Sequence, residues 1–407
     1  MTVTSTTDRT GAVKVAESNA SLPRRERIKL LLTQFRLGPA LVVLAIVWLF
    51  FTIQNPLFLS PGNISNLTQQ TAVTATLAIG LVFILLLGEI DLSVAALSGV
   101  GGAAAGGLAV NSGWNPLLAV LVALAVGIGW SLVQAVLVLY GAPSFIVTLA
   151  GSLALAGVLL MLLPDSGQIS LATNDLRLIA GSYLPVWAGW AFGAFGVAVT
   201  ALFYVRQYRS RVRQQVTVHF RRNLIVPIVA TAVVVLGVVA VMNSHRGMPA
   251  VFAVIIAIMG ALSFITTQTK FGVNIYAVGG NREAARRAGI PVNSTILWCF
   301  ALAGLFAALG GVFAASRLLG VSNQSGGGSL LLEAIAAAVI GGTSLFGGRG
   351  TVWSALIGAL LIGSISNGMD LLGLPTEAKL VVTGAVLVVA TLSDVVISRG
   401  SFSWRKK

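Results

Sequence analysis

The chain has 407 residues, of which 56% are hydrophobic and 9% charged, with 46 glycines and a mean hydropathy of +0.92. A soluble domain carries roughly a quarter charged residues, so a soluble globule is excluded. The net charge is +14, but 22 of the 26 Lys and Arg fall in residues 8–36, 206–222, 270–293 and 399–407 and at Arg349, a pattern that fits the positive-inside bias of membrane insertion rather than a nucleic-acid face.

Residues 1–36 are rich in Thr, Ser and charge and end in Arg24-Arg25-Glu26-Arg27-Ile28-Lys29, which predicts a disordered cytoplasmic tail. The long apolar run that follows lacks a small-residue cleavage site, so the tail is no signal peptide. Apolar stretches then occur at 37–54, 68–87, 93–110, 117–139, 143–163 and 186–204, returning the chain to the basic loop 206–222. Stretches at 224–242 and 250–269 lead to a second basic loop, 270–293, and those at 295–317, 330–346, 351–369 and 378–397 lead to the basic tail 399–407. Each stretch approaches the roughly 20 apolar residues of a bilayer crossing. The fold class expected is therefore an all-α polytopic membrane protein with about 10–12 transmembrane helices, one membrane domain over 37–398, and both termini cytoplasmic. The loop 164–185, with Asp165, Asp175 and Arg177, has room for a short interfacial helix.

Two breaks are very tight: Gly88-Glu89-Ile90-Asp91-Leu92 and the glycine-rich run from Gly341 to Gly350. Such breaks mark discontinuous helices lining a pathway, where freed backbone groups face protein or water, and they are expected near 88–93 and 341–350. Small-residue helices follow both, hinting at two related halves. Gly80, Gly88, Gly127, Gly304, Gly310, Gly311 and Gly363 are assigned to close helix packing, since lipid tails supply no hydrophobic drive between helices.

The sole cysteine, Cys299, lies in an apolar run, and His219 and His245 lie in separate loops; no disulfide framework, Cys/His metal site or catalytic residue is expected. Carboxylates near membrane depth are costly and informative. For Glu89, Asp91 and Ser93 two readings stand: capping of the helix that starts near Val94, or contact with cargo and gating. Glu333 enters an alanine-rich helix and Arg317 ends the helix before it. An ion pair between them is expected, with docking of an outside partner as the alternative, and Glu333 joins Glu89, Asp91 and Ser93 as a candidate for the substrate pathway or gating.

The segment Tyr276 to Pro291 carries the most specific pattern. Asn281 caps a short helix with Glu283 in its first turn and Arg286 and Arg287 near its end, and Gly289 and Pro291 stop it. Read blandly, this is an amphipathic connector near anionic lipid; read functionally, Ala284, Ala285 and Ala288 leave a slim surface that fits a partner's groove.

Glu-Ala-Ala, three residues, then Gly resembles the EAA signature by which permease subunits of bacterial ABC importers engage their ATPase. Gly88-Glu89-Ile90-Asp91-Leu92-Ser93-Val94, Tyr276-Ala277-Val278-Gly279-Gly280-Asn281 and Ile340-Gly341-Gly342-Thr343-Ser344-Leu345-Phe346-Gly347-Gly348-Arg349-Gly350 resemble motifs of the ribose, xylose and arabinose permease family. Glu89, where ribose-type chains usually carry Gly, and the additional helix pair near 186–242 look like the xylose branch; Ala95 departs from a commonly glycine position. The resemblance implies a permease in a bacterial cell membrane importing a pentose such as xylose. It implies a cytoplasmic ATPase gripping Asn281, Glu283, Ala284, Ala285, Arg286, Arg287 and Gly289, an extracytoplasmic sugar-binding protein, and a second permease copy. The chain has no G-x-x-x-x-G-K-[ST] loop, so it is expected to bind no cofactor itself, with ATP and Mg in the ATPase. An ion-coupled secondary transporter using Glu89 and Asp91, or a polytopic membrane enzyme, are the competing classes.

Overall fold

The structure, a computed structural model, describes residues 38–214 and 219–399. The expectations for the tail 1–36 and for 400–407 lie outside the described residues, as does part of the loop 206–222.

Each of the twelve apolar stretches holds a helix, although that at 330–346 is helical only as far as Ile340. In chain order they are α1 (Gly38–Gln54), α2 (Pro61–Leu86), α3 (Val94–Gly106), α4 (Pro116–Leu139), α5 (Ser144–Leu162), α6 (Val186–Arg213), α7 (Val226–Asn243), α8 (Ala250–Gln268), then the two short helices α9 (Lys270–Gly280) and α10 (Arg282–Arg287), followed by α11 (Val292–Leu318), α12 (Leu330–Ile340), α13 (Val352–Leu371) and α14 (Thr376–Arg399). Among the described residues nine helices are long and apolar enough to cross a membrane, and two shorter apolar ones, within α1 and at α12, accompany them. The loop 164–185 holds the expected short helix, Leu178–Gly181. It also holds strand β1 (Gln168–Ser170), which pairs antiparallel with β2 (Gly320–Ser322).

At the centre α11 packs on α2, α3 and α4, while α2 also carries α12 and α13. Missing side chains make this possible. A Cβ at Gly101 of α3 would lie 2.7 Å from Ala308 Cα of α11, and Gly127 and Gly304 abut each other's carbonyl at the α4–α11 crossing. The helices reach backbone contact because nothing stands between them. The periphery differs: 89% of the most apolar window of α2 is buried, against 6% of that in α7. The pair α6–α7 packs mainly on itself and presents Trp187, Phe195, Val233 and Val234 outward, as lipid-facing helices do.

The bundle has two distinct ends. At one, here the basic end, residues 86–89 meet 279–282 and 346–348. At the other, Tyr183 bridges Pro249, β1 pairs with β2, and Asn63 and Asn367 exchange hydrogen bonds of 2.8 and 3.0 Å.

The two tight breaks both connect consecutive helices at the basic end. α12 has only 11 residues, about 16 Å of helix, roughly half the hydrocarbon core. The rest of that crossing precedes α12, where the loop 320–329 dips inward from the far end until Gly326 abuts the Ala95 carbonyl. The run 341–350, in which Gly342, Gly347, Gly348 and Gly350 take positive φ, turns the chain from α12 into the adjacent α13 at the basic end, with Gly341 against the Ser354 carbonyl. The discontinuity expected at 341–350 is therefore corrected: its glycines make a loop between two adjacent helices, not a break within a crossing. The segment 88–93 is likewise a turn, joining α2 to α3, so the discontinuity expected there is also absent. Gly88, at φ +77°, ends α2, with Gly88 N–H donating to the Leu85 carbonyl and Glu89 N–H to that of Ile84. That glycine-terminated cap satisfies the last carbonyls, so no helix is interrupted. Both breaks meet: Gly348 N–H donates to the Leu86 carbonyl at 2.9 Å.

Candidate functional site

At the basic end α9 and α10 lie across these junctions. Asn281 is extended (φ −161°, ψ 104°) and its Oδ1 accepts the Ala284 N–H at 2.8 Å, so it caps α10 as its side chain dictates. α10 closes when Gly289, at φ +79°, lets its N–H donate to Arg286 and that of Ile290 to Ala285, a glycine-dependent stop. Glu283 and Arg287 form an exposed pair at 3.2 Å one turn apart.

The two faces of α10 are unlike. Glu283, Ala284, Arg286, Arg287, Ala288 and Gly289 are exposed. Ala285 is 4% exposed and belongs to the main hydrophobic core. The expectation that Ala285 joins Ala284 on a docking surface is therefore corrected. Its methyl roots the helix, and the slim outer surface is made by Ala284, Ala288 and Gly289. Beside it a recess of about 620 Å³ opens between Thr267–Asn274 and Gly289–Pro291.

α9 and α10 are tied to the bundle by contacts that no sequence pattern signals. Arg282 pairs with Glu89 at 3.2 Å across 193 positions. Tyr276 Oη donates to the Gly350 carbonyl at 2.9 Å. Gly279 leaves no room for a Cβ, which would strike the Leu86 carbonyl and the Gly348 nitrogen. Thus α9–α10, the 88–93 turn and the 341–350 run form one connected backbone junction.

The remaining candidates separate. Asp91 is buried, and its Oδ1 accepts both the Ser93 N–H and the Ser93 hydroxyl at 2.7 Å. Asp91, not Ser93, is thus the capping side chain ahead of α3; Ser93 itself makes no side-chain cap and bonds Gln134 of α4. Asp91 Oδ2 has no hydrogen-bond partner among the described residues. The turn is clamped by α5, with Ser144 Oγ accepting from Ile90 N–H and Thr148 Oγ1 accepting from Leu92 N–H. Sequence reasoning missed Gln134, Ser144 and Thr148, which look unremarkable in apolar helices until the turn they hold is visible. At the opposite end, the expected Arg317–Glu333 ion pair is absent. Arg317 reaches Asn66 Oδ1 at 3.5 Å, while Glu333 accepts from Ser329 Oγ at 2.5 Å. Each charge has a nearer local partner, so the two line a common cavity without bonding. Among the described residues no cluster of His, Cys, Asp and Glu could hold a metal ion.

A membrane-spanning bundle with a protruding capped helix at one end agrees with the comparisons. A family model described as branched-chain amino acid transport system / permease component matches residues 63–391. The chain belongs to this permease family. The xylose transport system permease protein of Escherichia coli K12 is 39% identical to the permease over 365 residues, 88% of this chain and 91% of that protein. The xylose permease of Haemophilus influenzae is 38% identical over 87% of this chain and 94% of its own length. The ribose import permease of Bacillus subtilis is 36% identical over 88% and 92%. No solved structure matches. The permease is accordingly a multi-pass membrane transport component.

Proposed function

We propose that the chain is the membrane permease of an ATP-driven importer for a pentose, xylose being the first candidate. The relatives named for xylose and ribose support a sugar over the amino acids in the family's description, because they align along nearly the whole length of both chains. The basic end lies in the cytoplasm, by the positive-inside bias, and both termini lie there. A separate ATPase, which holds the ATP and Mg, grips α10; a sugar-binding protein delivers cargo at the other end; two permease copies complete the complex.

The observation that carries this reading is the exposed outer face of α10, rooted by buried Ala285 and held to the two breaks by Glu89–Arg282 and Gly279. A partner pushing there moves α2, α3 and α13 through backbone contacts, and packed interfaces respond as rigid bodies rather than by continuous deformation. The bundle then rocks between inward-open and outward-open states. Glu283, Arg286 and Arg287 supply polar contacts to the ATPase, and Ala284, Ala288 and Gly289 allow close seating. Substituting Ala284→Trp and Ala288→Trp tests this: both are expected to abolish ATPase co-purification while the chain's melting temperature stays unchanged. Undiminished co-purification from both variants would overturn the docking assignment.

A further inference from the structure

At the basic end the chain displays a large apolar side chain that neither its own core nor lipid covers. Phe346, in the turn between α12 and α13, is 89% exposed, more than any other large hydrophobic side chain among the described residues. A lone exposed apolar group is ordinary on a protein surface, but the place of this one is not. Tyr140 and Met161, which approach it in exposure, lie at the ends of the lipid-facing helices α4 and α5. Phe346 instead stands over the end of α2, which α8, α11, α12 and α13 enclose, so the acyl chains are kept away. A phenyl ring also lacks the polar tip that suits Tyr and Trp to a membrane interface.

The turn beneath holds the ring out. Ser344 N–H donates to the Arg349 carbonyl at 2.9 Å and Gly348 N–H to that of Leu86 at 2.9 Å, while Phe346 N–H donates to Ser344 Oγ at 3.2 Å. Gly347, at φ +84°, has no room for a Cβ beside the Gly279 carbonyl. The backbone is thus ordered before any partner arrives, which lowers the cost of association.

Phe346 and the outer face of α10 share one surface. The Phe346 carbonyl lies against Gly88, and the next residue, Glu89, pairs with Arg282 at the start of α10. Glu89–Arg282 and Glu283–Arg287 neutralise one another. Arg286 and Arg349 remain exposed and form no ion pair among the described residues. An aromatic side chain beside free arginines is the anatomy of an interface anchor with a polar rim, complementary to an apolar pocket edged by carboxylates.

We propose that Phe346 is a second anchor for the ATPase, its ring entering an apolar pocket of that partner while Arg286 and Arg349 meet acidic groups at the rim. The proposal rests on the ATPase-driven reading and extends the contact from α10 to the α12–α13 turn. A partner that holds both prongs moves α12 and α13 directly, as well as α2 and α3 through α10.

The test places a bimane fluorophore on Phe346→Cys in the full-length chain in nanodiscs. The one native cysteine, Cys299, is buried, so the label goes to position 346. Adding the ATPase is expected to shift the emission to the blue and shield the label from iodide. Quenching by brominated lipid that the ATPase leaves unchanged would place the side chain in the bilayer, and a shift driven by permease concentration alone would place it against a second copy; either overturns the proposal. Phe346→Ala is expected to weaken ATPase binding about thirtyfold, with melting temperature and elution profile retained. Phe346→Trp is expected to keep the affinity, as is Phe195→Ala on lipid-facing α6. An ATPase that binds wild type and Phe346→Ala equally, yet is lost from Ala284→Trp, sinks the anchor and spares the α10 reading. An ATPase that fails to bind wild type sinks both.

Discussion

Asp91 sits buried with one carboxylate oxygen fully engaged by Ser93 and the other without a partner, and that division predicts how it responds to substitution. Asparagine keeps the accepting oxygen and caps as well as aspartate. Asp91→Asn is therefore expected to fold and transport near wild type, whereas Asp91→Ala loses about 1 kcal/mol of capping, read as a lower melting temperature. Transport lost in Asp91→Asn at unchanged stability would instead assign the negative charge a direct role. The Glu89–Arg282 pair is partly solvated, with the side chains 18% and 41% exposed, and contributes at most about 1 kcal/mol to stability. Its value lies in geometry. Glu89→Arg is expected to reduce uptake several-fold, and the exchange Glu89→Arg with Arg282→Glu to recover most of it; an exchange no better than the single variant would remove the tether from the account. Ala285→Trp should behave unlike Ala284→Trp, destabilising the chain by overpacking at about 1–3 kcal/mol or more instead of blocking a surface.

At the scale of helices, the reciprocal contact of Gly127 and Gly304 fixes the α4–α11 crossing. Gly304→Leu is expected to prevent stable folding, while Gly157→Leu, where a Cβ meets nothing within 4 Å, should be tolerated; equal thermal stability of the two would contradict backbone-to-backbone packing as the source of cohesion. Which glycines pack was partly legible, since small residues recur along the apolar runs, but which helix each one meets was not. The twelve apolar runs were legible because bilayer thickness dictates their length. The glycines of 341–350 announce a break, but not that it falls between α12 and α13 rather than within a crossing. The turn at 88–93 carries a similar signature, yet one glycine there suffices to end α2, and spacing alone does not separate a helix stop from an interruption. α10 was legible through Asn281 and Gly289, whose cap and stop chemistry is local. The inward aim of Ala285 was not, because six residues span less than two turns and give no periodicity. Glu89–Arg282 and the Arg317–Glu333 cavity depend on tertiary placement, and only the backbone shows which charges meet.

Over the whole molecule, the two ends differ. One face bears α10, the break junctions and the arginines at 206–213 and 282–287; the other bears the cavity with Gln70, Thr74, Arg317 and Glu333. Between them the bundle is held by close backbone contacts, so a push at one end reaches the other through α2, α3 and α11. The account requires that the energy come from outside the chain. Reconstitution in proteoliposomes measures this most directly. The purified permease alone is expected to leave internal xylose at or below the external concentration, and the permease with its ATPase, binding protein and ATP to raise it above that level. Uphill accumulation by the permease alone, driven by an ion gradient and indifferent to ATP, would contradict the account.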